Sequence, residues 1–558
     1  MNATSQINKI SHYPADITFI ESTLARLPLS LQRSVGNTYS YQFNTSGRQA
    51  ANLYLLSVQG YLDGKTLLTL SDENIRLKAE RLAGNCKVTD MNKAADYLQS
   101  QGFSLPAGDS AESIIARVKC PVWWERSLRK KQDREQEQLH IQLGMIRRGY
   151  QPYCSSALLM RIQARQKRAM KMLEGFEAVS DEGDVLNLLD VLKGSVANPA
   201  VRRAELMVRM RGFEDYANTQ NHVAMFYTIT TPSKYHRVSG AGLNDKYQDF
   251  TPRDAQRYLC QVWARIRAKL KRDGMNVYGF RVAEPHHDGT PHWHLLLFME
   301  PAHCKAVSAI IRHYALQEDS DEAGAAKHRF EAVAIDSSKG SATGYIAKYV
   351  SKNIDGFGMD TDDETGSDAK DSAQRVRAWA SAWGIRQFQQ VGGAPVGVWR
   401  ELRRVESAPD GLLEQARQAA DAGDWALYLT LQGGAEANRS DQPLRVFTVE
   451  HINTETGEVC QNRYGEFINR VQGVTLNEVL AIETRLKVWT IQQKPVQAES
   501  MADVKPHTDY DVLADVLRTF TLPATEPDFL PDSGFSAFPW SAFNNCTRQQ
   551  QHGLEAMA

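Results

Sequence analysis

What this chain of 558 residues lacks removes several classes of function at once. Cysteine is sparse and scattered. Cys86, Cys120, Cys154, Cys260, Cys304, Cys460 and Cys546 form no CxxC pair, which excludes a zinc ribbon and a disulfide scaffold and leaves reduced thiols. No apolar run approaches the roughly 18 residues that a membrane span needs. The opening residues, with Asn2, Thr4, Ser5 and Asn8, lack the basic and then apolar layout of a secretory signal, so the expected location is the cytoplasm. One nucleotide-loop lookalike, Gly60-Tyr-Leu-Asp-Gly64-Lys65-Thr66, has three residues between its glycines where phosphate wrapping requires four, and no ATPase is inferred. No internal repeat is present.

Net charge is also nearly absent, at -1, but its distribution is not uniform. Residues 121–173 carry 12 Lys+Arg against 4 Asp+Glu, residues 201–290 carry 15 against 9, and residues 503–558 reverse to 3 against 8. A basic body with an acidic tail is compatible with a polyanionic partner, because local phosphate neutralisation sets affinity more than whole-chain charge does. Solvated helix faces produce the same asymmetry, so charge alone decides nothing.

At this length several domains are expected. Residues 1–215 read as mostly helical, with helices over Asp72–Leu82, Trp123–Arg147 and Ala157–Phe176. Trp123 and Trp124, amid Arg126, Arg129, Lys130 and Lys131, read as a core pair beside a charged helix rather than as base-stacking rings. Residues 216–400 are the expected catalytic domain. There a β run at Met225–Pro232 precedes a helix from Pro252 to about Gly274, strands at Asn276–Glu284 and Pro291–Met299 joined by an Asp288-Gly289 turn, a helix at about 302–317, a strand near His328–Ile335 and a helix from Ser341 to Lys352. This β-α-β-β-α-β order is the split βαβ, ferredoxin-like pattern, an antiparallel sheet backed by helices, so the fold class is α+β. The acidic stretch Asp360–Asp368 reads as a mobile loop, followed by a helix from Asp371 to Trp383. Residues 401–495 read as a helical and mixed region, with helices at 410–431. Residues 496–558 read as a disordered acidic tail, in which Phe535, Phe538, Trp540 and Phe543 suggest a short docking segment.

Two constellations carry chemistry. On the strand from Pro291, the period of two sends His292 and His294 to one face and Trp293 and Leu295 to the other. Two imidazoles so placed converge on one cation, and Glu284, brought alongside by the hairpin, is the natural third ligand, with His286 and His287 as competitors. Imidazole and carboxylate together suit Mg²⁺ or Mn²⁺. On the helix from Ser341, positions 345, 348, 349 and 352 share one face, lining up Tyr345 and Tyr349 with Lys348 and Lys352. A phenol with an ordinary pKa of about 10 is a poor nucleophile, and adjacent lysines and a metal favour its phenolate and offset charge on a pentavalent phosphorus. A helix burying two core tyrosines while its lysines reach solvent is the bland alternative.

The segments Phe226-Tyr-Thr-Ile-Thr-Thr-Pro232, Glu284-Pro-His-His-Asp-Gly-Thr-Pro-His292-Trp-His294 and Tyr345-x-x-Lys-Tyr349 resemble, in that order, the three motifs of the HUH (histidine-hydrophobic-histidine) endonucleases of rolling-circle replication. The closest resemblance is to the two-tyrosine initiators of the phage replication gene A protein family. Arg202-Arg-Ala-Glu-Leu-Met-Val-Arg209, Pro232-Ser-Lys-Tyr-His236 and Tyr278-Gly-Phe-Arg-Val-Ala-Glu284 are similar to that family's wording as well, over roughly residues 200–360.

The resemblance implies an HUH fold, a ferredoxin- or RRM-like antiparallel sheet. It implies a divalent metal held by His292, His294 and an acidic or polar third ligand, for which Glu284 stands here, and nucleophiles Tyr345 and Tyr349 with Lys348 and Lys352 beside them. One tyrosine would keep the 5′ end of the nicked strand as a phosphotyrosine and free a 3′-OH for the host polymerase; the other would act after a round of synthesis. Single-stranded or locally melted origin DNA is the expected substrate, with Lys234, Arg281, Arg265 and Lys269 assigned to DNA contacts and host helicase and polymerase as partners. Other readings are an HUH transposase or relaxase, a nuclease that uses water, and a non-catalytic RRM-like single-strand binder with Phe226, Tyr227 and Tyr278 as stacking platforms. Relaxases usually place the tyrosine before the histidines, whereas here it follows.

Overall fold

The computed structural model describes residues 13–240, 242–453 and 456–495. The expectation of a disordered tail with an aromatic docking segment lies outside them. None of the described helices is long and apolar enough to cross a membrane.

The first two hundred residues are mainly helical. They include α1 (Leu29–Leu62, broken at Gly47), α2 (Asp72–Gly84), α3 (Pro121–Gln142), α4 (Ser156–Glu174) and α5 (Pro199–Thr219). Trp124 is fully buried and donates its indole N–H to the Val118 carbonyl at 2.7 Å, so this tryptophan is core, as its setting suggested. Three short strands were not legible: Phe176–Ser180 pairs antiparallel with both Val185–Asn187 and Trp489–Gln493. Strands of three to five residues are too short to display an alternating pattern.

The centre of the molecule is a five-stranded, wholly antiparallel sheet. Its parts in chain order are β1 (Val223–Thr230), α6 (Pro252–Arg272), β2 (Tyr278–Pro285), β3 (Pro291–Met299), α7 (Cys304–Ala315), β4 (Phe330–Ala334), α8 (Ala342–Ile354), α9 (Ala369–Trp383) and β5 (Phe388–Val391). The strands lie in the order β4-β1-β3-β2-β5. The first four elements of the sheet match the β-α-β-β-α-β order read from sequence, and β5 adds an edge that was not foreseen. Local chemistry explains the boundaries. Thr251 and Asp254 form a capping box ahead of α6, Pro252 occupies its first turn, and Lys269, Lys271 and Arg272 sit at its C-terminal end. The β2–β3 hairpin closes through His286 N–H to the Thr290 carbonyl at 2.8 Å, with Gly289 at φ 85.

Register decides which side chains share a face. Glu284 and Thr230 flank His292, and Val282 and Thr228 flank His294. The same face carries Phe226, Phe280, Leu296 and Phe298, packed under α5 and α8 through Met210, Phe213, Ile346 and Val350. Trp293, Leu295, Tyr227 and Ala283 point the other way, into α6 and α7. Burying each large apolar side chain contributes about 1.5–3 kcal/mol, which offsets the cost of holding three ionisable groups in the sheet.

One expectation is corrected. Asp360–Asp368 is not a free loop: Asp362 is fully buried and accepts a hydrogen bond from the Tyr153 hydroxyl, and Glu364 accepts from the His287 backbone N–H at 2.8 Å. The acidic composition that suggests mobility is here matched by buried donors. Beyond the helices Leu412–Ala422 and Trp425–Leu431, the chain also builds a separate antiparallel sheet from Leu444–Glu450, Asn469–Leu476 and Leu480–Glu483.

Gly279, at φ 145 near the start of β2, has no room for a side chain: a Cβ there would overlap the Leu296 carbonyl of β3. Gly279→Ala is expected to destabilise the protein by about 2 kcal/mol or more. Chemical denaturation checks this, and an unchanged midpoint would contradict the close strand approach.

Candidate active site

Glu284, His292 and His294 meet where the sheet emerges beyond the end of its apolar core. They are 1%, 7% and 6% exposed. Their ligand atoms all lie within 4.8 Å of one another, the only such group of three among the described residues. The His292 and His294 Nε2 atoms are 2.9 Å apart, and Glu284 Oε2 is 3.5 Å from His294 Nε2. Thr228 Oγ1, 3.1 Å from His294 Nδ1, orients that ring from the neighbouring strand. His286 and His287 do not join the group. The His286 ring stacks on His292 with centroids 4.0 Å apart and turns its Nδ1 towards Glu364 at 3.8 Å.

The electrostatics suit a cation. Burial, and then the neighbouring His286 and His294, hold His292 well below the ordinary imidazole value, so its ring is neutral with a lone pair to donate. Burial alone would raise the Glu284 carboxyl, but Lys352 and His294 outweigh it and bring it to about 2, an ionised carboxylate. Glu284 Oε2 is buried without a hydrogen-bond partner. The two imidazole nitrogens, 2.9 Å apart, are close enough for one cation to be shared by both rings. The donor set therefore fits a divalent ion held by two imidazoles and one carboxylate, with room for phosphate oxygens.

Helix α8 lays both tyrosines beside this group. Its first turn is fixed by the Ser341 hydroxyl, which accepts from Gly344 N–H, and by Glu214 of α5, which accepts from Ala342 and Thr343 N–H at 2.7 and 3.1 Å. The Tyr349 ring is 4.1 Å from the His294 ring and stacks on Phe226 at 5.2 Å. Tyr345, one turn earlier and 43% exposed, meets the edge of Phe226 at 4.7 Å. Lys348 is exposed and pairs with Asp363.

Lys352 is buried and pairs with Glu284, with Glu364 at 3.1 Å and with Asp362 at 3.4 Å. It serves the carboxylates rather than the phenols. The expectation that the lysines favour phenolate is accordingly revised for Tyr349: burial, and then Glu284, outweigh Lys352 and push this phenol up to about 12.

Several members of the site were invisible in the sequence. Tyr153, buried at φ 70, reaches Asp362 from the helical region and lies under Lys352, whose Nζ is 5.5 Å from the ring centre. His236 pairs with Asp288 at 3.2 Å and meets His286 edge-on at 5.2 Å. Tyr153 gives no sequence signal. The signal for Glu364 was the acidic stretch itself, set shortly after a helix bearing two lysines.

Of the four basic residues assigned to DNA, three lie on the sheet's opposite face or on the helix that covers it, and the fourth is held by carboxylates. Arg281 is buried on the opposite face, donating to the Arg386 carbonyl at 2.7 Å and lying over Trp293. Arg265 and Lys269 are on α6, which covers that opposite face, paired with Gln317 at 3.1 Å and Asp273 at 2.9 Å. Lys234 is held by Glu318 and by Asp319 at 3.0 Å. Strand alternation turns Arg281 away, and carboxylates already neutralise Lys234. The proposed stacking platforms Phe226, Tyr227 and Tyr278 are all buried under helices.

Comparison with known proteins agrees in one direction. The family model for bacteriophage replication gene A protein matches residues 65–357. The replication gene A protein of Escherichia phage 186 is 45% identical over 400 residues, covering 69% of this chain and 57% of that protein. A probable replication protein of Pseudoalteromonas phage PM2 is 38% identical over 497 residues, 85% of this chain and 76% of its own length. A probable replication endonuclease from a prophage-like region of Salmonella paratyphi A is 35% identical over 379 residues, 64% of this chain and 46% of its own. The chain thus spans from about half to three quarters of the length of these relatives. No solved structure matches it.

Lys352 is the shared cation of three buried or partly buried carboxylates, so removing its charge strands them together. Lys352→Met is expected to cost about 3–5 kcal/mol, read by chemical denaturation; a variant as stable as the parent would show that the cluster is not held by this ion pair.

Proposed function

The chain belongs to the bacteriophage replication gene A protein family, and from that premise we propose that it is a replication endonuclease that nicks one DNA strand with a tyrosine of α8. The observation that carries this reading is the Tyr349 ring 4.1 Å from His294, within the cluster of Glu284, His292 and His294. A hydrolytic nuclease gives no reason for two tyrosines on one helical face beside its metal ligands. A single-strand binder would need exposed rings on the sheet, and those rings are buried.

In this reading the sheet is the ferredoxin-like HUH fold, centred on residues 216–400. The phenol oxygen of Tyr345 or Tyr349 attacks the scissile phosphorus. The bond to the 3′-oxygen breaks, the tyrosine loses its proton, the departing 3′-oxygen gains one, and the 5′-phosphate remains on the tyrosine. A divalent ion, Mg²⁺ or Mn²⁺, held by His292, His294 and Glu284 would supply electrophilic activation of the phosphate and lower the cost of the phenolate. Lys352 keeps Glu284 ionised and positioned. Lys348, whose partner Asp363 is exposed, can exchange that carboxylate for a phosphate oxygen. The second tyrosine then serves the return transfer that closes the displaced strand. The substrate is single-stranded or locally melted origin DNA in the bacterial cytoplasm, the freed 3′-OH primes the host polymerase, and a host helicase unwinds the duplex ahead of it.

The test uses purified protein, Mn²⁺ and labelled single-stranded oligonucleotides from the replicon's own origin. His292→Ala is expected to lose cleavage by a factor of about 10² or more while retaining oligonucleotide binding. Tyr345→Phe and Tyr349→Phe are expected to differ from each other on denaturing gels, and the double variant to form no covalent complex. Adduct formation by the double variant would remove both tyrosines from the mechanism.

A further inference from the structure

The arginine-rich start of α5 has no part in the chemistry above, yet it is oddly placed. Arg202 lies over the Phe388 ring of edge strand β5, 5.2 Å from its centre, and has no hydrogen bond or ion pair from its side chain among the described residues. Arg377, on α9, is half-buried with its Nε shielded from solvent and without a hydrogen-bond partner. The carboxylate near Arg377 is Asp355, which Arg203 already holds at 2.9 Å. Burial, and then the charges of Arg377 and Arg209, push Arg202 below the ordinary guanidinium value, as expected where cations gather without enough anions.

Beside them Phe357 is 62% exposed, with the Arg203 guanidinium 3.8 Å from its ring centre. Asp355, the residue that caps the C-terminal end of α8, follows Lys352 by three residues, less than one helical turn. The patch therefore borders the site at the end of the tyrosine helix.

We propose that Arg202 and Arg377 each bind a phosphate of single-stranded DNA flanking the nicked position, with Phe357 stacking a base. Unpaired guanidiniums beside an exposed aromatic ring are the combination that tracks a flexible strand without reading its sequence. The inference rests on the reading of this chain as a DNA-nicking protein, but it concerns residues outside the catalytic group.

Fluorescence anisotropy of a mixed-sequence single-stranded oligonucleotide of about 16 nucleotides, measured in EDTA across a salt series, separates binding from cleavage. Arg202→Gln with Arg377→Gln is expected to lower the salt slope of log K by about 1.4, roughly 0.7 for each lost phosphate contact. The Lys pair at the same positions is expected to recover most of that slope. Phe357→Ala, on the surface and safe for folding, is expected to weaken binding roughly tenfold. Slopes and affinities equal to the parent's, with circular dichroism unchanged, would overturn the patch, as would an equal loss for blunt duplex DNA. If the parent binds in this salt-dependent way but never forms an adduct, the nicking reading fails and the patch stands.

Discussion

The buried ion pair between Lys352 and Glu284 ties the tyrosine helix to β2, the strand that pairs with the histidine strand. Apolar contacts also join helix and sheet, and these set a distance but do little by themselves to stop the helix rotating or sliding. A charge pair shielded from water costs desolvation at both ends, and it repays that cost only in good geometry. Once Lys352 is pinned to Glu284, helical periodicity fixes Tyr349 one turn back, over His294, and Tyr345 one turn further, at the open edge. The same pair keeps the Glu284 carboxyl ionised, so one interaction prepares the proposed third metal ligand and aims the proposed nucleophiles.

The strand register supplies the other half of this geometry. Glu284 stands opposite His292 because β2 and β3 form a hairpin whose turn length admits no slip: moving either strand by one residue would send its groups to the opposite face. The acidic segment after α8 closes the arrangement. Glu364 links Lys352 to the β2–β3 turn through the His287 backbone and lies near His286, while Asp362 ties the same region to Tyr153 of the helical N-terminal part. The helical region is thus joined to the five-stranded sheet through the candidate site itself. Asp363 pairs with Lys348 and Glu364 with Lys352, so both α8 lysines already hold carboxylates.

Much of this was legible in the sequence because it rests on local periodicity. Alternation along Pro291–Met299 placed His292 and His294 together, and spacing along Ser341–Lys352 placed Tyr345, Tyr349 and Lys352 on one side. What was not legible depends on tertiary approach. The role of Lys352 as a partner of Glu284, the docking of Asp362 and Glu364, and the presence of Tyr153 all join residues distant in the chain, and no spacing rule connects them. Arg281, assigned to DNA, lies three residues from Glu284, and odd spacing along a strand turns it to the far face, a placement visible only once the strands are paired. Arg202 stood within a stretch already singled out, yet its want of a partner is apparent only once α5, α9 and β5 are assembled.

The most direct test of the account is to trap the complex of the protein with a 5′-labelled and internally labelled origin oligonucleotide, digest it with protease, and sequence the DNA-linked peptide by mass spectrometry. The account predicts a peptide from α8 in which Tyr345 or Tyr349 carries the 5′-phosphate of the downstream fragment, with a free 3′-OH on the other. Cleavage that leaves an unattached 5′-phosphate, or an adduct on any residue outside α8, would contradict it.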